Sequence, residues 1–233
     1  MQSTNLLAGI IDTEALAAFF VRDTLLGDRV ALPFLAANTI GALLLTVNFL
    51  ANGTPEHEGF LETYSSILFL FSALLMGVSA LYSNRLRNDQ AHARICRVLA
   101  FLGLILLVLY GEEISWGQRF FGWDSVGVFE RYNYQKETNL HNFLNPVFNY
   151  VYPVIGLSFC LLIYALWFFP SKNRSLLILL AVPHSNQFFV VFFMTYFSFR
   201  DGEVFEEFLA LFPFLFSLRV FLALRLAVNR ART

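Results

Sequence analysis

Long apolar runs, cut by short polar clusters, set the reading of this chain. Stretches over about 31–51, 64–82, 97–114, 148–169, 176–198 and 204–225 are each apolar. Each is near the ~20 residues a helix needs to cross a bilayer's hydrocarbon core. The pattern predicts an all-α, polytopic transmembrane helical bundle of about six spanning helices. Residues 5–27 differ: Leu6, Leu7, Ile10, Ile11, Leu16, Phe19, Phe20, Leu25 and Leu26 lie between charges. That spacing predicts an amphipathic helix lying on the membrane rather than crossing it. The chain thus divides into an amphipathic segment 1–29, a membrane domain 30–226 with a long external loop at 115–147, and a basic tail at 227–233. The loop carries Trp116, Trp123, Tyr132 and Tyr134, residues that favour the membrane–water interface, so short interfacial helices are expected there.

Composition agrees: 57% of the 233 residues are hydrophobic and 14% charged, against about 25% charged in a soluble domain. The net charge of −1 gives no basic field for nucleic acid. Two cysteines, Cys96 and Cys160, lie in or beside apolar runs and make no disulfide framework. No basic n-region precedes an apolar core, so no cleavable signal peptide is expected.

Arginine and lysine set the orientation. Arg22, Arg29, Arg85, Arg87, Arg94, Arg97, Lys172, Arg174, Arg225, Arg230 and Arg232 fall on one side of a six-helix chain. Only Arg119, Arg131, Lys136 and Arg200 fall on the other. The positive-inside rule then predicts a plasma (inner) membrane protein with both termini cytoplasmic. The acids gather on the opposite side, which the rule does not require.

Four constellations carry candidate chemistry. Glu112 and Glu113 end the third apolar run and are followed by Ser115, Trp116, Gln118 and Arg119. Acids in a membrane helix are costly, which marks them as candidate general acid/base groups. In a continued helix Glu112, Ser115, Trp116 and Arg119 share a face, with Glu113 about 100° away. Glu137 and His141 stand at i, i+4 and touch if that stretch is helical, with Asn142 beside them. A carboxylate orienting an imidazole is the usual support of a metal-bound or catalytic histidine. Pro183-His184-Ser185-Asn186-Gln187 puts a helix breaker and four polar side chains inside the fifth run, which predicts a kink and a candidate binding position. Glu203, Glu206 and Glu207 share a face at the start of the sixth run. There they suit the helix dipole or form a cation-binding rim. His57 and His92 read as solvated. No P-loop, GxGxxG, HExxH or GxSxG occurs.

The strings GEEISWGQRFFGW and, about twenty residues on, NLHN resemble the signature of a group of uncharacterised bacterial polytopic membrane proteins. The resemblance covers about residues 111–142. It implies a bacterial membrane setting and gives weight to Glu112, Glu113, Ser115, Gln118, Arg119, His141 and Asn142. Intramembrane CAAX-type proteases also carry a Glu-Glu pair, but with Arg four residues after it and an FxxxH; here Arg119 lies six residues after Glu113 and no histidine has that Phe. Membrane ceramidase-like hydrolases use three histidines around zinc, and here only His141 and His184 fall near the acids.

Three functions follow as expectations. The first is an outer-leaflet hydrolase or transferase acting on a lipid or lipid-linked substrate. Its catalytic residues would be Glu112, Glu113 and His141, and its substrate contacts Ser115, Gln118, Arg119, Asn142, His184 and Asn186, with Arg119 holding an anionic head group. A divalent metal, if used, would draw on Glu113, His141 and Glu206. The second is a non-catalytic subunit docking a membrane-protein partner through the external loop. The third is a small-solute or ion transporter built on the broken fifth helix.

Overall fold

The computed structural model describes residues 19–20, 23–53, 60–86, 90–169 and 180–230. The expected amphipathic helix lies mostly outside these residues, as do Glu56, His57, Glu58, Lys172 and Arg174. Among the described residues there are eight α-helices and no strand. They are α1 (Asp28–Asn52), α2 (Phe60–Leu86), α3 (Gln90–Glu113), α4 (Gln118–Phe121), α5 (Val128–Tyr132), α6 (Asn145–Phe168), α7 (Phe188–Ser198) and α8 (Gly202–Arg230). Five of them, α1, α2, α3, α6 and α8, are long and apolar enough to cross a membrane. The expected basic tail is mostly helix, since α8 runs on to Arg230.

The helices are apolar on both faces, as a bilayer demands of spans that meet protein on one side and lipid on the other. On α1, Ala31, Phe34, Asn38, Ala42 and Leu45 form a buried stripe, while Leu32, Ile40, Leu44 and Leu50 face outward. Helix α8 is the axis of the bundle and packs on α2, α7, α1 and α6. Small residues allow the closest approaches. A Cβ at Gly103 of α3 would stand 3.3 Å from the Ala73 carbonyl of α2. The buried hydroxyls of Ser72 and Ser79 donate to the carbonyls of Leu68 and Leu75, both at 2.6 Å, and so need no water.

The fifth apolar run departs from the expected continuous helix over 176–198. Leu180 and Ala181 are helical, the chain then leaves the helix, and a 3₁₀ turn (Ser185–Gln187) leads into α7. Pro183 has no N–H to give and disfavours helix at Val182. The carbonyls this releases are taken up by neighbours. Trp167 Nε1 donates to Pro183 O at 2.8 Å, and Arg219 Nη1 donates to Val182 O at 3.3 Å. Non-helical backbone inside a bundle is tolerated where other helices satisfy it in this way. The eleven residues of α7 rise about 16 Å, half of a ~30 Å hydrocarbon core.

Helix α7 meets α6 at Gly156. A Cβ there would stand 2.6 Å from Ser198 Cβ. Gly156→Ala is therefore expected to push the two helices apart and cost about 1–3 kcal/mol. A lowered melting temperature of the detergent-purified chain would report it. An unchanged one would mean that the two helices do not pack this closely.

Candidate functional site

All the loop chemistry collects at one end of the bundle, here the loop end. The third helix does not continue through Arg119 as the sequence suggests. It stops at Glu113, and Ser115, Trp116 and Gly117 all take positive φ, at 48°, 54° and 86°. Such angles are uncommon for serine and costly for a bulky side chain, and tertiary contacts hold them. Ser115 Oγ donates to Glu137 Oε2 at 2.7 Å. Trp116 folds back over α3, and its Nε1 donates to Glu112 Oε1 at 2.8 Å. Its ring lies where any side chain at Gly111 would go, since a Cβ there would be 2.8 Å from it. The turn reverses the chain and brings Arg119 to Glu137.

Glu137 is the hub of the loop. Arg119 donates to Oε1 through Nε at 2.7 Å and Nη2 at 2.5 Å. Ser115, Asn139 and Asn142 donate to Oε2 at 2.7, 2.9 and 3.1 Å. Asn133 holds the turn below, accepting from the backbone N–H of Gln135 and Glu137 and donating to Asn139. Gln118 adds a second stitch, accepting from Thr138 N at 2.6 Å. Short helices are present in the loop, as α4, α5 and a 3₁₀ turn at His141–Phe143. Phe120 and Phe121 of α4, and Val126 after it, are widely exposed.

The expected Glu137–His141 contact is absent, because residues 137–140 are not helical. The pairing is crossed instead. Glu137 belongs to Arg119, and His141 belongs to Glu112, with Nδ1 3.8 Å from Oε2. Glu112 Oε2 also accepts from the backbone N–H of Leu140 at 2.6 Å and His141 at 3.2 Å. Glu112 thus positions the histidine, while Glu113, on the next face, lines the cavity described below.

Removing the hub has a defined expectation. Glu137→Ala takes the carboxylate from Arg119 and leaves three buried donors without their acceptor. Breaking a buried pair costs about 3–5 kcal/mol. Arg119 is 36% exposed, so solvent screens it and the low end of that range applies. Limited proteolysis should then cut between α4 and the 3₁₀ turn at His141–Phe143. A loop that stays protease-resistant would show that Glu137 does not hold it.

Above the bundle, α2, α3, α6, α8 and the loop enclose a cavity of about 450 Å³. Six carboxylates line it: Glu113, Glu137, Asp201, Glu203, Glu206 and Glu207. His141 and Arg200 are its basic side chains, and Asn142, Asn145, Asn149 and Tyr152 add polar groups. The α8 acids stand in the first turns of their helix. Asp201 caps it, accepting from Val204 N at 3.1 Å. The Tyr152 hydroxyl donates to Glu206 Oε1. A second, more open groove of about 630 Å³, lined by Tyr110, Arg119, Phe120 and Phe121 among others, also has Glu113 in its wall.

Of the candidates read from the sequence, Glu113, His141, Asn142 and Glu206 share this cavity. Glu112, Ser115, Gln118 and Arg119 build the loop around it. His184 and Asn186 lie at the opposite end of the bundle, beside Trp167 and Arg219, and do not join it. Among the described residues no three His, Cys, Asp or Glu side chains are arranged to hold a metal ion, the trio Glu113, His141 and Glu206 included. Sequence reasoning passed over Asn145, Asn149 and Tyr152. Their i, i+4, i+7 spacing at the start of an apolar helix was a legible signal of a polar face.

Fold and cavity together define the class: a multi-pass α-helical membrane protein with an acid-lined polar cavity at one end of its bundle. Compared with family models, curated proteins and solved structures, the chain matches none of them.

Proposed function

We propose that this chain is an acid/base enzyme of the membrane surface, a hydrolase or transferase that draws an amphiphile from the outer leaflet into the acid-lined cavity. The observation that carries the reading is the position of Glu113, in the wall of both the polar cavity and the more open groove beside it. A carboxylate at such a junction meets a head group from one side and its apolar tail from the other. Glu113 takes a proton from the attacking water or acceptor hydroxyl and returns one to the leaving group. His141, fixed by Glu112, serves as the second proton carrier. The arginines of α2 and α3 and the C-terminal end of α8 lie away from the loop, which supports a cytoplasmic basic end and an outward-facing cavity in a bacterial inner membrane.

The cavity's charge shapes the substrate. A bare anionic group would meet six carboxylates, and Arg119 is committed to Glu137. Hydroxyl-rich or amine-bearing head groups suit the lining better. The test is turnover. The full chain in vesicles is offered amphiphiles of both kinds, and loss or exchange of the head group is followed by mass spectrometry of the extracted lipid. Turnover that survives Glu113→Gln unchanged removes the assignment.

A second reading is a subunit that docks a membrane-protein partner. The exposure of Phe120, Phe121, Val126 and Val128 on the loop favours it. Stoichiometric co-purification, abolished by Phe120→Asp with Phe121→Asp, would carry that reading instead.

A further inference from the structure

Arg200 joins two features of opposite character. On one side it lines the acid-lined cavity. On the other it closes the loop end of a groove of about 500 Å³ along the seam of α6 and α7. That groove is walled by Cys160 and Tyr164 of α6 and by Phe192, Thr195, Tyr196 and Phe199. It is almost wholly apolar. Thr195 turns its hydroxyl to Val191 O at 2.8 Å. Tyr196, at 52% exposure, and Phe199, at 61%, open its outer side toward the surroundings of the bundle. The groove runs along α7 from Phe192 to Phe199, a rise of about 10 Å, which fits within one leaflet of a ~30 Å core. The Arg200 guanidinium is exposed and makes no hydrogen bond or ion pair among the described residues.

The order along this surface is apolar groove, single cation, acidic cavity. An amine-bearing phospholipid has the complementary order: acyl chain, phosphate, ammonium. We propose that this surface seats a zwitterionic aminophospholipid. One acyl chain lies in the α6–α7 groove, the phosphate meets Arg200, and the ammonium enters the cavity toward Glu203 and Glu206. The guanidinium fork matches phosphate oxygens. The ammonium brings a positive charge to a lining of six carboxylates. A phospholipid without the amine satisfies the groove and Arg200 but brings no positive charge to the carboxylate-rich lining, which is how discrimination arises. The seat rests on the enzyme reading only in taking this lipid as the substrate; occupancy is a separate matter, and binding tests it.

The experiment is thermal melting of the full chain in detergent. It is titrated with dioleoyl phosphatidylethanolamine, dioleoyl phosphatidylglycerol, dioleoylglycerol, or phosphoethanolamine, which is the free head group without chains. Phosphatidylethanolamine is expected to stabilise with roughly tenfold higher apparent affinity than the other two lipids. The chainless head group is expected to give no shift. Arg200→Ala should lower phosphatidylethanolamine affinity and bring phosphatidylglycerol down to the level of dioleoylglycerol. Glu203→Gln should reduce it to the level of phosphatidylglycerol. Thr195→Trp, which fills the groove, should weaken all three lipids. Because Arg200 is exposed, the alanine variant should melt like the parent without lipid. Arg200→Lys, which keeps the charge, should retain part of the preference for phosphate-bearing lipids. Equal response to all three lipids, or undiminished phosphatidylethanolamine binding by Arg200→Ala, would overturn the proposal. Selective binding without turnover would keep the seat and remove the enzyme reading.

Discussion

Glu113→Gln is expected to lower kcat by about 10²–10⁴-fold, the usual contribution of a positioned general acid or base. The amide has the shape of the carboxyl group and can still accept hydrogen bonds, but it cannot exchange a proton. Glu113 is the last residue of α3 and only partly buried, so the substitution should leave the fold and the melting temperature intact. KM should change little, because the lost interaction belongs to the transition state. Glu112→Gln provides the contrast. Glu112 accepts from Trp116, Leu140 and His141, so its change should loosen the 115–147 loop and move melting and activity together. The two variants therefore separate chemistry from support. In the pH–rate profile, the limb owed to Glu113 should vanish in its amide variant and persist, at reduced amplitude, in Glu112→Gln. A Glu113→Gln protein with the parent's kcat, or one whose profile keeps both limbs, would take Glu113 out of the reaction.

The bundle was legible because bilayer spans advertise themselves. Runs of about twenty apolar residues leave little choice of element, and five of the six became long helices. The remaining one, the fifth run, carried its own warning in Pro183. The extent of that break was not readable, because the donors that stabilise it, Trp167 and Arg219, sit on other helices. The loop was harder for the same reason. Neither Ser115 nor Trp116 signals a turn, and the left-handed backbone there depends on Glu137, distant in sequence. An i, i+4 rule assigned His141 to Glu137, since it presumes a helix. Asn133 and Asn139 instead fold that stretch into a turn, which sends Glu137 to Arg119 and His141 to Glu112. The 100° offset between Glu112 and Glu113 is the local feature that survives, since the helix runs up to Glu113. Arg219 was the plainest oversight. A charge inside the last apolar run has to find a partner, and Asp23 supplies it.

That partner makes the Asp23–Arg219 pair the strongest lever on stability. Arg219 Nε donates to Asp23 Oδ2 at 2.6 Å and Nη2 to Oδ1 at 3.3 Å, with the residues 4% and 2% exposed. Asp23 Oδ1 also accepts from Leu25 N at 2.9 Å, and Arg219 holds the carbonyl of Val182. One ion pair thus ties together the turn before α1, the broken fifth segment and α8. Removing either partner leaves the other charge buried, which costs about 3–5 kcal/mol. Asp23→Ala and Arg219→Ala should each melt far below the parent. Replacing both by apolar residues, as in Asp23→Leu with Arg219→Met, should recover much of the loss, because no buried charge then remains. The pH dependence has a definite sign. Burial pulls the Asp23 carboxyl up, but the hydrogen bond and charge of Arg219, helped by the charge of His184, carry it below the ordinary 3.8. A carboxyl depressed on folding contributes its full stability above that ordinary value and loses it as pH falls through the lower folded one. The parent should therefore lose stability in acid below the ordinary carboxylate range, and Asp23→Ala should lack that component of the loss. Single variants that cost under about 1 kcal/mol, as solvent-exposed pairs do, would mean that water reaches this pair and that it does not lock the segments together.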